Sequence, residues 1–185
     1  MRLILIRHAE TIENRRGIIQ GQRPGRISEF GKQQIATIKD TIKHEKIEAI
    51  YTSDLQRCIE TAEPLHQFYN KAPFIISSEL REFSYGKLQG IPLGRFIKLV
   101  PKNGLFMHIK LPGSESYKQV RTRLIIFLNQ LYKSYPNSTV LLITHGGPIR
   151  LMRILLDENI KLTTPQTINN CSIWKLDMDN PIKST

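Results

Sequence analysis

Cysteine is scarce in this chain. There are two, Cys58 and Cys171, far apart and outside any CxxC or Cys/His grouping. That gives no grounds for a thiolate zinc site or a disulfide framework, and it fits reduced cysteines in a cytosolic protein. Long apolar runs are missing as well. No stretch approaches the roughly 18–20 residues that a membrane-spanning helix needs. The apolar run after Met1 is too short for a secretory leader, so the expected location is the cytoplasm. Acidic residues are outnumbered, 16 against 27 basic ones, which leaves a net charge of +11. A basic surface attracts polyanions. Here the basic residues are scattered, with no run of about five to eight like charges and no interleaved aromatics. Nucleic acid and membranes are therefore not the expected partners, and steering of small anionic substrates is the functional alternative to simple solubility. Repeats and low-complexity tracts are absent, so residues 1–185 are expected to form one domain.

What the chain does have is 185 residues, 40% of them apolar, enough for a full-sized core. Leu3 to Ile6 and Thr139 to Thr144 are continuous apolar runs, the mark of strands covered on both faces. Ile47–Thr52, Phe74–Ser77 and Ser172–Leu176 read as further strands. Ser28 can cap a helix whose Ile35, Ile38 and Ile42 share one face. Ser53 or Asp54 can cap another that runs to about Tyr69, with a kink or break expected at Pro64. Glu115–Ser134 is amphipathic, with Val120, Leu124, Phe127, Leu128 and Leu131 together. Pro148 suits the first turn of a helix running to Asp157. The stretch from Ala9 to Ile27 is too irregular for a core element. Residues 83–113 hold five glycines and three prolines and read as an excursion with one short helix near 93–99, and the tail from Asp177 is expected to fray. Strands alternating with helices predict a three-layer α/β/α sandwich with a mainly parallel sheet. Ligands in such sheets collect beyond the carboxyl ends of the strands.

The two most apolar strands end alike. One runs into Arg7-His8 and the other into His145-Gly146-Gly147. If they are parallel neighbours, both imidazoles emerge at one sheet edge, which packing alone does not explain. The surroundings suit phosphate. Arg7 offers a planar fork of donors, the two glycines allow close backbone approach, and the helix that follows presents free N–H groups and its positive dipole end. Arg57 falls in the first turn of a helix near the end of a third strand, and Thr11 and Asn14 add neutral donors.

Arg7-His8-Ala9-Glu10-Thr11 followed by Asn14 resembles the R-H-G-x-T/S signature of the histidine phosphatase superfamily, the phosphoglycerate mutase-like proteins. Gly21-Gln22, Pro24-Gly25 and Ile27-Ser28-Glu29-Phe30-Gly31 with Gln34 resemble the family's next segment. Tyr51 to Cys58 with Thr61-Ala62 resembles its Y-S-S-D-L-x-R-A, and Leu80-Arg81-Glu82 with Gly86 and Gly90 its L-R-E-x-x-x-G. Pro112 to Ser116 resembles P-G-G-E-S, and Thr144 to Arg150 resembles T-H-G-G-x-I-R. The motifs follow the family's order over nearly the whole chain. The resemblance implies that His8 is a nucleophile forming a phosphohistidine, in a pocket with Arg7, Arg57 and His145. It also implies that Glu82 is the general acid and base, and that Thr11, Asn14, Gly21, Gln22 and Gly146 line the phosphate site. A metal-independent phosphoric monoester hydrolase, with no cofactor, is the implied activity. A neutral His8 and a cationic His145 clamping phosphate are expected.

Three features depart from the pattern. Ala9 stands where glycine is usual, and Leu88 and Gln89 stand where many members have Trp and Glu. Arg23, Arg26, Arg95, Lys98, Lys102 and Lys110 could meet a second anionic group, or simply be exposed. The alternatives are a cofactor-dependent phosphoglycerate mutase, a phosphohistidine protein phosphatase, or a phosphate-binding module with a relic pocket. The segment between Glu82 and Pro112 is short for a mutase and lacks a paired Arg-Arg. A small phosphorylated substrate and a monomer or homodimer are expected.

Overall fold

The computed structural model describes residues 1–99, 112–157, 159–160 and 168–183. Five strands form one sheet in the order β3-β2-β4-β1-β5. They are β1 (Arg2–Arg7), β2 (Ile47–Ser53), β3 (Phe74–Ser77), β4 (Thr139–Thr144) and β5 (Ile173–Asp177). The first four are mutually parallel, and β5 pairs antiparallel with β1 at one edge. The sheet is thus mainly parallel, as expected.

Side chains alternate across a strand, so each apolar run feeds two cores. Leu3, Leu5, Val140 and Leu142 pack with Val120, Leu124, Phe127, Leu128 and Leu131 of α5 (Tyr117–Ser134) and with Ile149 and Met152 of α6 (Gly146–Leu156). Ile4, Ile6, Leu141 and Ile143 pack on the other face with Ile38 and Ile42 of α2 (Glu29–Ile42) and with Cys58, Ala62 and Leu65 of α3 (Gln56–Phe68). The result is the α/β/α sandwich. Leu3 to Ile6 and Val140 to Ile143 are wholly buried. Each such side chain contributes about 1.5–3 kcal/mol on leaving water.

Ser28 caps α2 by accepting from Gly31 N at 3.0 Å. The stretch after His8 is no core element, as expected; it holds only a one-turn helix without buried residues, α1 (Ile12–Arg15), closed by a reciprocal cap between Thr11 and Asn14. Other expectations need correction. The N-cap of α3 is Leu55, with no side-chain cap bond. Ser53 and Asp54, expected to cap it, turn instead to His145 and Arg81. The same helix runs through Pro64 without a break. Helix α6 starts two residues before Pro148, with His145 as its N-cap. The tail does not fray at Asp177. Met178 is buried and exchanges backbone bonds with Met1, and Ile182 bonds both ways with the Asn129 side chain.

The expected short helix of the excursion is α4 (Leu93–Leu99), anchored by the buried Phe96 against Tyr85. Lys102 and Lys110 lie outside the described residues. Among the described residues, no helix is long and apolar enough to cross a membrane.

Candidate active site

Register brings the two histidines together. Arg7 pairs with Thr144, so the residue after each stands at the same level of the sheet. His8 N donates to Thr144 O at 2.9 Å, carrying the ladder one step past the strand. The two imidazole centroids are 5.2 Å apart, with the rings inclined by 62°. His8 is 3% exposed and His145 is wholly buried.

Arg57 joins them. It enters on the first turn of α3, just after β2, and is 2% exposed. Its Nε donates to His8 Nε2 at 3.2 Å, and its Nη2 faces His145 Nδ1 at 3.1 Å. The remaining donors reach Gly21 O at 2.7 Å and Arg23 O at 2.9 Å. These contacts fix both tautomers. His8 Nδ1 lies 2.8 Å from Ala9 O, which can only accept, so Nδ1 carries the proton and Nε2 keeps its lone pair. His145 Nδ1 faces a guanidinium that can only donate. Its proton is therefore on Nε2, 3.0 Å from Ser53 Oγ.

Burial, then the charges of Arg57 and Arg7, hold the His8 imidazole well below its ordinary pKa. Burial and Arg57 do the same to His145. His145 is thus held neutral where it faces Arg57, while the cation expected from sequence is one that clamps phosphate. The sequence shows the arginines nearby but not the depth of burial that makes a second buried charge costly. Cys58 sits against the same ring, its Sγ 3.4 Å from His145 Nε2, and burial pushes its thiol pKa up. It is a neutral floor residue.

Arg7 supplies the anion-seeking group. One of its terminal nitrogens holds Ile168 O, and its Nε is buried with no hydrogen-bond partner among the described residues. An unpaired guanidinium N–H in a buried setting is costly unless a ligand accepts from it. Gly146 lies beside it and opens α6, so the helix N-terminus points at the same space.

Glu82 approaches from a loop after the 3-10 turn Ser78–Leu80. One carboxylate oxygen accepts from Phe83 N at 2.9 Å and the other from Gly147 N at 3.3 Å. Glycine is needed at position 147, because a Cβ there would sit 2.2 Å from Glu82 Oε1 and 2.6 Å from the Phe83 ring.

Other expected site residues are used differently. The Thr11 hydroxyl donates to Asn14 Oδ1 and accepts from Asn14 N and Gln20 Nε2, so nothing remains for a ligand. Asn14 Oδ1 is taken by Thr11 and by Asn170, whose amide also holds His8 O at 2.9 Å; the Asn14 Nδ2, the donor expected to meet phosphate, is not engaged by these bonds. Gly21 has φ +55° and gives its carbonyl to Arg57. The Gln22 side chain turns away, to Glu82 O and Glu115. Arg23, Arg26, Arg95 and Lys98 are exposed. Among the described residues, no three His, Cys, Asp or Glu gather as a metal site. Sequence reasoning gave no role to Asn170 or Arg123, and gave Ser53 only a helix cap. Ser53 lies inside a quoted motif, whereas Asn170 carries no local signal.

Residues 3–182 match the family model of the histidine phosphatase superfamily (branch 1). The metal-independent phosphoserine phosphatase of Arabidopsis thaliana is 30% identical over 163 residues, 84% of this chain and 68% of that one. Two solved structures superpose closely. YhfR of Bacillus stearothermophilus does so with a TM-score of 0.85 at 23% identity, over 98% of this chain and 93% of that one. A mycobacterial glucosyl-3-phosphoglycerate phosphatase in complex with VO3 gives 0.82 at 25% identity, over 95% and 92%.

Proposed function

Because the chain belongs to the histidine phosphatase superfamily, we propose that it hydrolyses small phosphomonoesters through a phosphohistidine on His8, with residues 1–185 acting as one domain. The observation that carries this reading is the state of His8. Its Nε2 lone pair is free of a proton and ringed by Arg57, Arg7 and the start of α6.

A phosphomonoester brings close to two negative charges at neutral pH. It gives the buried Arg7 Nε an acceptor. It also draws the Arg57 donors from the imidazoles to its oxygens. His8 Nε2 attacks phosphorus in line, the N–P bond forms and the bond to the leaving oxygen breaks. Glu82, in its acid form, gives that oxygen its proton, so the alcohol leaves neutral. Water then attacks phosphorus, Glu82 takes its proton, the N–P bond breaks, and phosphate departs. Fixed donors stabilise the transition state most; Arg7, Arg57 and the Gly146 amide fill that part, and His145 joins them as a cation once the bound dianion favours a proton on its Nδ1. The Arabidopsis relative's name suggests phosphoserine as a first substrate to try.

The test is a panel of phosphomonoesters including phosphoserine and 3-phosphoglycerate, with and without 2,3-bisphosphoglycerate. Phosphate release together with an acid-labile, base-stable phosphoenzyme supports the reading. Isomer conversion that needs the bisphosphate would replace it with a mutase.

A further inference from the structure

We propose that Arg123, paired with Glu115, is a positioning residue that sets the placement of the Glu82 carboxyl group. This rests on the acid role given to Glu82 above. Glu82 belongs to no helix or strand; it lies between the 3-10 turns Ser78–Leu80 and Gly86–Leu88. A loop here must find partners for its backbone outside any ladder, and α5 supplies them. Arg123 donates to three carbonyls around Glu82. One terminal nitrogen holds Glu79 O, and the other holds Arg81 O at 2.8 Å and Glu82 O at 3.3 Å. Its Nε meets Glu115 Oε1 at 3.0 Å. The other Glu115 oxygen accepts from Ser84 N at 2.9 Å and from Gln22 Nε2 at 3.1 Å, and that same amide holds Glu82 O at 3.0 Å.

The carbonyls of residues 79, 81 and 82 and the amide of residue 84 thus converge on one ion pair. Its side chains are 15% and 23% exposed. The next residue on the helix is Leu124, wholly buried against the sheet. Helix α5 therefore passes the sheet's fixed position to a loop that has none of its own. None of the Arg123 hydrogen bonds goes to Arg7, His8, Arg57 or His145. The contacts need a planar fork. Lysine keeps the charge toward Glu115 but cannot reach three carbonyls.

The leaving group separates positioning from mere structural support. An alkyl phosphate needs a proton from Glu82, whereas p-nitrophenolate leaves without one. Arg123→Lys should lower kcat/KM for glycerol phosphate about 100-fold, the low end of what a general acid contributes. It should lower kcat/KM for p-nitrophenyl phosphate by no more than about 3-fold on the same grounds. In a Glu82→Gln background the lysine should cost nothing further, because its route is already cut. Thermal unfolding confirms that each variant is folded at the assay temperature. If Arg123→Lys is not, Glu115→Gln must show the same split. Equal losses on both esters, additive losses with Glu82→Gln, or failure of both variants to fold would assign the pair to the fold alone and overturn the proposal. Wild-type protein that releases phosphate from neither ester would bring down the phosphatase reading, and the proposal with it.

Discussion

His8 and His145 stand one residue past the ends of adjacent parallel strands, whereas Glu82 stands on a loop between two 3-10 turns. The histidines are buried to 3% and 0% exposure, and Glu82 is half-buried. On the histidine side, position comes from sheet register and from one guanidinium that touches both rings. On the acid side, it comes from backbone carbonyls gathered by Arg123 and from two amides on the carboxylate. The contrast suits the chemistry. A nucleophile must face phosphorus along one line. An acid that later serves as a base must meet first a leaving group and then water, so it stands where solvent can enter.

Substitutions can break this contrast, and the largest effect belongs to the nucleophile. His8→Asn should leave no measurable turnover and no labelled phosphoenzyme after quenching with a radioactive ester. Turnover near that of wild type would remove His8 from its role. Arg57→Lys comes next. It leaves acceptors at Gly21, Arg23 and both imidazoles short of partners. We expect kcat/KM to fall about 10²–10³-fold, and chemical denaturation to show a loss of about 1–3 kcal/mol per orphaned group. The acid side should be softer. Gly147→Ala pushes a methyl into the Glu82 carboxylate, and a shift of about 1 Å can cost up to about 100-fold. Gly146→Ala, whose methyl meets nothing closer than Arg7 Nε at 3.7 Å, should lose less in the same assay.

The smallest effect concerns stability. Both site histidines have depressed pKa values in the folded protein, so the unfolded chain binds more protons near its ordinary value of about 6.5. Their neutral burial costs nothing above that pH. Stability should fall as pH drops below about 6.5 and level off only below the folded values. His8→Asn should make the slope of unfolding free energy against pH shallower by up to one proton. An unchanged slope would mean that His8 is not buried as a neutral ring.

Much of the histidine side was legible in the sequence. Four-residue apolar runs ending in Arg-His and in Thr-His-Gly-Gly point to buried parallel strands with polar ends, because only a doubly covered strand tolerates such runs. The acid side was legible only in the identity of Glu82. Its support from Arg123, 41 residues further on, follows no local period. Local capping rules misplaced Ser53 and Asp54 for the same reason: both side chains have tertiary partners, in His145 and Arg81. Thr11 and Asn14 went the other way, to a local cap that composition alone does not distinguish from ligand binding.

By itself, then, the sequence determined which segments are buried and where polar chemistry interrupts them, since apolar periodicity is a local property of the chain. Tertiary structure alone decided the charge state of His145, the freedom of the Arg7 Nε and the hold on Glu82. Burial, shared donors and distant ion pairs exist only once remote segments meet and exclude water.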